Sequence, residues 1–185
     1  DSIFEYLQYK FALIEVFVRS VEARAFDEYS ITILKNYQYI LDAKKVMANL
    51  QRKVITAIKE KRSINYSFIH NNPKLDHLLS YNGSQYLISI EKAKIGVPSL
   101  DIAKFYVESE DLNFDIKAII QSYFSKYEDP FYYDYFCFLV LFIYIKGLVI
   151  VDKDYVSSQN FIYTASSIKT FIATFSLIPE RENDT

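Results

Sequence analysis

Glycine and proline are scarce in this chain, at three and four of 185 residues. So few turn formers exclude a fold of many short strands and favour a few long helices. Cysteine occurs once, as Cys137, so no disulfide can form within the chain and a reducing, cytoplasmic setting is the simplest expectation. Cys137 sits in Tyr135-Phe136-Cys137-Phe138-Leu139, where nothing nearby would lower a thiol pKa, and reads as a small buried hydrophobe rather than a nucleophile. An excess of one charge is also lacking. Lys plus Arg is 21 and Asp plus Glu is 23, a net charge of −2, so no broad field exists to draw in nucleic acid or an anionic membrane. The longest apolar run, Phe131 to Ile145, holds about 15 residues where a membrane span needs about 20, which favours a buried central helix over a span. No charged-then-apolar leader precedes Ile3, so no signal peptide is expected, and there is neither an internal repeat nor a low-complexity segment.

What remains is an ordered globular composition, 51% hydrophobic and 17% aromatic, of a length that suits one domain. Helical periodicity predicts helices over about 3–24, 27–61, 99–107, 114–127, 131–145 and 154–177, a mainly α chain. In the first, Phe4, Leu7, Phe11, Ile14, Val18 and Val21 form one apolar stripe. The second carries Ile33, Tyr37, Ile40, Met47, Leu50, Val54 and Ile58 on one face, as one long helix or two abutting ones, and ends in Lys59-Glu60-Lys61-Arg62. Ile116, Ile119, Ile120, Tyr123, Phe124 and Tyr127 mark the clearest amphipathic face, stopped by Asp129-Pro130. Phe161, Ala165, Ile168, Ile172 and Phe175 stripe the last helix; Leu148 to Val151 reads as a short link, and Pro179 to Thr185 as a polar tail.

The helical pattern is interrupted once, between residues 67 and 91. Ile69-His70-Asn71-Asn72-Pro73-Lys74-Leu75-Asp76-His77-Leu78-Leu79 leads to Tyr81-Asn82-Gly83-Ser84, whose Asn-Gly is a strong hairpin signal, and then to Tyr86-Leu87-Ile88-Ser89-Ile90-Glu91. Gly96-Val97-Pro98-Ser99-Leu100-Asp101-Ile102-Ala103 follows. This layout resembles the aminoglycoside phosphotransferase and choline kinase family of protein-kinase-like fold. There a catalytic loop H-x-D-x-x-x-x-N precedes a short hairpin, a strand then ends in a metal-binding aspartate, and a G-x-P-x-x-D-L-A segment supplies an aspartate that braces the loop. The resemblance implies an α-helical C-terminal lobe with one small β-hairpin, and in an active member ATP, magnesium and a small hydroxylated substrate. It places His70 at the loop histidine, Asn72 at the catalytic aspartate, His77 at the metal-binding asparagine, Ser89 at the metal-binding aspartate and Asp101 at the brace.

The three positions that carry chemistry are therefore changed. Asn72 cannot accept a proton as a carboxylate does, although its amide can orient a hydroxyl. His77 offers nitrogen and Ser89 a neutral hydroxyl where magnesium wants hard oxygen ligands, with Glu91, and Asp76 beside His77, as candidate substitutes. His70, Asp76 and His77 also raise a transition-metal reading, but such loop sites normally bring three or four ligands. For His70, a structural loop histidine hydrogen-bonded to backbone is favoured over a catalytic role. Neither a G-x-G-x-x-G loop nor a V-A-I-K-like strand lysine occurs. Either the β-rich nucleotide lobe lies outside this stretch or the protein does without it. The expectation is a catalytically impaired phosphotransferase-like lobe that needs no cofactor of its own. The alternative is a non-catalytic binding or scaffolding module for a small molecule or a protein, for which the 17 tyrosines are suited.

Overall fold

The structure, a computed structural model, describes residues 2–24, 28–61, 63–150 and 155–178. The tail expected at 179–185, the link end at Val151 and the expected helix-end positions 27, 62 and 154 lie outside them. The chain divides into two compact units, one of Asp1–Asn49 with Leu141–Thr185 and the other of Leu50–Val140.

Among its described residues the first unit has helices and no strand. Helix α1 (Ser2–Glu22) buries Leu7, Phe11, Ile14, Val18 and Val21 of the predicted stripe, and Phe17 beside it, whose ring lies 6.0 Å from that of Phe161. Phe4, the first residue of that stripe, is only half-buried. Helix α2 (Glu28–Glu60) is one unbroken helix of 33 residues, since no glycine or proline interrupts it. It buries Ile33, Ile40, Ala43, Val46 and Met47 in this unit. Lys44, which interrupts the apolar face in sequence, reaches Glu15 on α1 at 2.6 Å; both are substantially exposed, so the pair is worth well under about 1 kcal/mol. Helix α6 (Tyr155–Thr174) turns Phe161, Ala165, Ile168 and Phe171 inward, followed by Phe175 just past its end. Phe171 takes the core position expected of Ile172, which is half-buried.

The second unit is built around helix α5 (Phe131–Gly147), of which residues 131–140 belong here. As an all-round apolar run should, it is enclosed: Phe131, Tyr132 and every residue from Phe136 to Val140 are buried. Cys137 among them is fully buried, and burial pushes its thiol up to about 12, so it is inert at neutral pH. Helix α3 (Ser99–Glu108) lays Ala103 and Tyr106 inward, the Tyr106 ring meeting that of Phe136 edge-on at 6.2 Å. At its start, buried Ser99 donates from Oγ to the Tyr132 carbonyl at 2.7 Å. Helix α4 is shorter than the expected 114–127, running Ile116–Phe124, because the Asp115 side chain caps its N-terminus by accepting from Ala118 N. Ile120 and Phe124 are buried, whereas Ile119 points to solvent; Ile58 of α2 likewise faces out.

Four short strands fill the break in the helical pattern. Strand β2 (Leu78–Tyr81) pairs antiparallel with β3 (Ser84–Leu87) through a tight turn at Asn82-Gly83. Both turn residues have positive φ, 49° and 76°, as a type I′ hairpin requires. The hairpin is nested inside a second pair, β1 (Ser67–Ile69) against β4 (Lys94–Gly96), which periodicity did not suggest. A Cβ at Gly96 would stand 2.5 Å from Cδ1 of the buried Ile69, so any larger residue there has to displace that side chain. Among the described residues no helix is long and apolar enough to cross a membrane.

Candidate functional site

Helix α3 and the His70–Asn72 loop form one hydrogen-bonded assembly. Asp101 and Lys104, one turn apart, project from the same face of α3. The Asp101 carboxylate accepts from His70 N at 2.6 Å and from Asn71 N at 2.7 Å, one bond to each oxygen. Lys104 Nζ donates to the Asn71 carbonyl at 2.8 Å and to Asn71 Oδ1 at 2.7 Å. Asn71 completes the clamp by donating from Nδ2 to the Lys92 carbonyl at 3.1 Å. Its backbone is left-handed, with φ of 62°, a conformation that asparagine tolerates better than most residues. Both backbone polar groups of Asn71 and both ends of its side-chain amide are thus bonded within the chain.

His70 is buried, and its ring is fixed from both sides. Nε2 lies 2.7 Å from the Ile88 carbonyl, which can only accept, so the ring proton is on Nε2. Nδ1 then accepts from Asn72 N at 3.3 Å. The His77 ring lies alongside with centroids 5.5 Å apart, and its Nδ1 donates to the Asn72 carbonyl at 2.9 Å. Ile88 N donates to the His77 carbonyl at 2.9 Å, which ties the end of the hairpin back to the loop. His70, Asn72, His77 and the residue next to Ser89 are therefore one cluster.

Ser89 is itself left-handed, with φ of 62° and ψ of 43°, and its hydroxyl caps nothing in the short 3₁₀ turn that follows it, Ile90–Lys92. A non-glycine residue held there costs on the order of 1–3 kcal/mol, a concentration of strain more usual at ligand sites than in plain connections. Asp76 and Glu91, the candidate substitute ligands, are both exposed, and among the described residues no group of three or more His, Cys, Asp or Glu is placed to hold a metal ion. Asn71, Lys104 and the Lys92 and Ile88 carbonyls are the members that sequence reasoning missed. The only signal for Lys104 was its i+3 spacing from Asp101.

The hairpin beside this cluster has no buried residue. Leu78 faces Leu87 across the strands and Leu79 faces Tyr86, so apolar side chains project from both faces. On the outer pair, Phe68 and Ile95 stand opposite each other at 69% and 68% exposure. Residues 78–90 contain no charged side chain, the device by which exposed strands normally avoid new partners.

A separate cavity of about 510 Å³ opens between the C-terminal part of α2 and the start of α5, lined by Lys53, Lys61, Asp129, Phe131 and Asp134 among others. Two of its lysines are paired within it, Lys61 with Asp129 and, more loosely at 3.7 Å, Lys53 with Asp134. Burial raises the Asp134 carboxyl above its usual range, and Lys53 offsets only part of this. A folded-state pKa raised above the unfolded value means that ionisation of Asp134 costs stability, a cost that grows as pH rises from the ordinary carboxylate range through the raised value. Asp134→Asn is therefore expected to stabilise the chain at neutral pH by under about 1 kcal/mol, since the group is partly solvated. The gain should vanish below about pH 3, where the aspartate is protonated in both states, as thermal melts at the two pH values would show. The chain matches no model of a known protein family, and a search of curated proteins finds no match to it.

Proposed function

We propose that this chain is the substrate-side lobe of a phosphotransferase-like protein, related in design to the aminoglycoside and choline kinases, whose loop architecture persists without its catalytic chemistry. The observation that carries the reading is the Asp101 carboxylate accepting from both His70 N and Asn71 N, with the His70 ring anchored to the Ile88 carbonyl just past β3. A resemblance in sequence alone would not require residues 70, 88 and 101 to meet. The impairment follows from donor chemistry. Position 72 has no carboxylate to take a proton from a substrate hydroxyl. The group does not fit magnesium either: His77 contributes nitrogen and Asn72 and Ser89 neutral oxygens, and among the described residues no group of three or more His, Cys, Asp or Glu is placed to hold a metal ion.

A binding or scaffolding role is favoured by the uncharged, exposed hairpin and by the Phe68–Ile95 pair, surfaces of the kind that protein partners or a further β-rich segment cover. The experiment that tests the proposal measures ADP release from ATP and magnesium over a panel of small hydroxylated acceptors, aminoglycosides and choline included. No turnover above background is expected. Turnover in the range of about 1–100 s⁻¹ would overturn the impairment. The lobe assignment is tested separately in the gene, where a β-rich segment with a strand lysine upstream of Asp1 would support it and upstream sequence of another class would count against it.

A further inference from the structure

We infer that the outer edge of β3 is a contact between two copies of this chain, joined antiparallel about a two-fold axis at Tyr86. This goes beyond the phosphotransferase-like reading and does not depend on it. The phase of the hairpin fixes which backbone groups are free. Leu78 faces Leu87 and Leu79 faces Tyr86, and one step further along the same register Ile88 N donates to the His77 carbonyl. Bonded and non-bonded pairs alternate in an antiparallel ladder, so Ser84, Tyr86 and Ile88 turn their backbone groups toward β2, whereas Gln85 and Leu87 turn theirs outward. Among the described residues no further strand lies on that edge. No charge guards it either: β2 starts two residues after Asp76, but from β3 onward the first charged side chain is Glu91.

A second copy is the occupant that these groups fit. With the two-fold at Tyr86, Gln85 of each copy exchanges both backbone hydrogen bonds with Leu87 of the other, and both outward residues of β3 are used. A register centred on Gln85 or on Leu87 uses fewer, because it sets the remaining residue against Gly83 in the turn or against the left-handed Ser89. On one face the pairing lines up Leu79, Tyr86, the partner's Tyr86 and the partner's Leu79 as a continuous apolar row across four strands. A lone two-stranded hairpin with no buried residue is marginal in water, whereas four strands with an apolar face pass that threshold. The apolar side chains of 78–90 are 40–68% exposed, on the order of 800 Å² in all, as much as each partner in a standard-sized interface buries. The chain's own remaining segments are unsuited to cover them, since the longest one outside the described residues, 179–185, is mostly charged.

The test is analytical ultracentrifugation of the 185-residue chain over about 1–200 μM, a range in which a contact of this size associates. A mass rising from 21.8 kDa to twice that value is expected. Tyr86→Lys and Tyr86→Glu each set like charges against each other at the axis and should weaken dimerisation at least about tenfold, while an equimolar mixture of the two should dimerise as wild type does. Tyr86 is half-exposed on a strand with no buried residue, so both variants should keep the fold, and the mixture distinguishes a lost contact from a lost fold. Tyr86→Cys should link two copies through a disulfide on mild oxidation, and Gln85→Cys, which would face Leu87 of the other copy, should not; the native Cys137 is buried and takes no part. A chain that stays monomeric across the range would overturn the inference. So would a mixture that stays monomeric, a dimer that both charged variants leave unchanged, a disulfide that forms at position 85 and not at 86, or a mass that grows past the dimer, which marks an open contact rather than a two-fold one.

Discussion

Asp101→Ala is expected to lower the free energy of unfolding by about 2–4 kcal/mol, because it leaves the N–H groups of His70 and Asn71 without their acceptor in a partly buried loop. Both bonds go to an ionised group, which places them among the stronger hydrogen bonds of the unit. Asp101→Asn should fall between wild type and alanine, since an amide presents one accepting oxygen and turns its NH₂ toward the second donor. Urea melts give the energies, and amide exchange at His70 and Asn71 should accelerate in step with them. An unchanged midpoint in Asp101→Ala, with exchange at those two amides still slow, would mean that they have other acceptors.

Phe136→Ala should cost about 3–5 kcal/mol, the largest single effect in the second unit. The Phe136 side chain is fully buried, with ring centroids 5.1 Å from Phe124 on α4 and 6.2 Å from Tyr106 on α3. Its removal opens a cavity between three helices, and Phe136→Leu should recover much of the loss by refilling it. The consequence extends beyond stability. Tyr106 shares α3 with Asp101 and Lys104, so a loosened α3 should also weaken the clamp on Asn71. Denaturant melts of the two variants check the order, and a loss under about 1 kcal/mol for alanine would contradict the packing described.

How much of this could be read from the residues alone depended on the range of the signal. Helix α5 was legible because an all-round apolar run admits little other than burial, and α2 because nothing in it breaks a helix. Errors fell at the margins of stripes. Ile58 and Ile119 have the right spacing yet face solvent, and Phe171 is buried where Ile172 was expected, because periodicity fixes the direction of a stripe and not its width. The β1–β4 pair escaped because three-residue strands are too short to show alternation, whereas the hairpin inside it was announced by Asn82-Gly83. In the candidate site, His70, Asn72, His77, Ser89 and Asp101 were named by resemblance to a motif. Asn71 and Lys104 were not, since a lysine that bonds a carbonyl and an asparagine that bonds backbone leave no pattern in the letters.

The clamp around Asn71 also bears on how the second unit folds. Its bonds join residues no more than 33 positions apart, and the His70–Ile88 bond spans only 18. Loop-closure entropy for such separations is modest, and contacts this local form early relative to pairings across a whole chain. The stretch from β1 to α3 therefore has the makings of a single cooperative folding unit, with Asp101 as its closing contact, and its amides should open and close together on a timescale of their own.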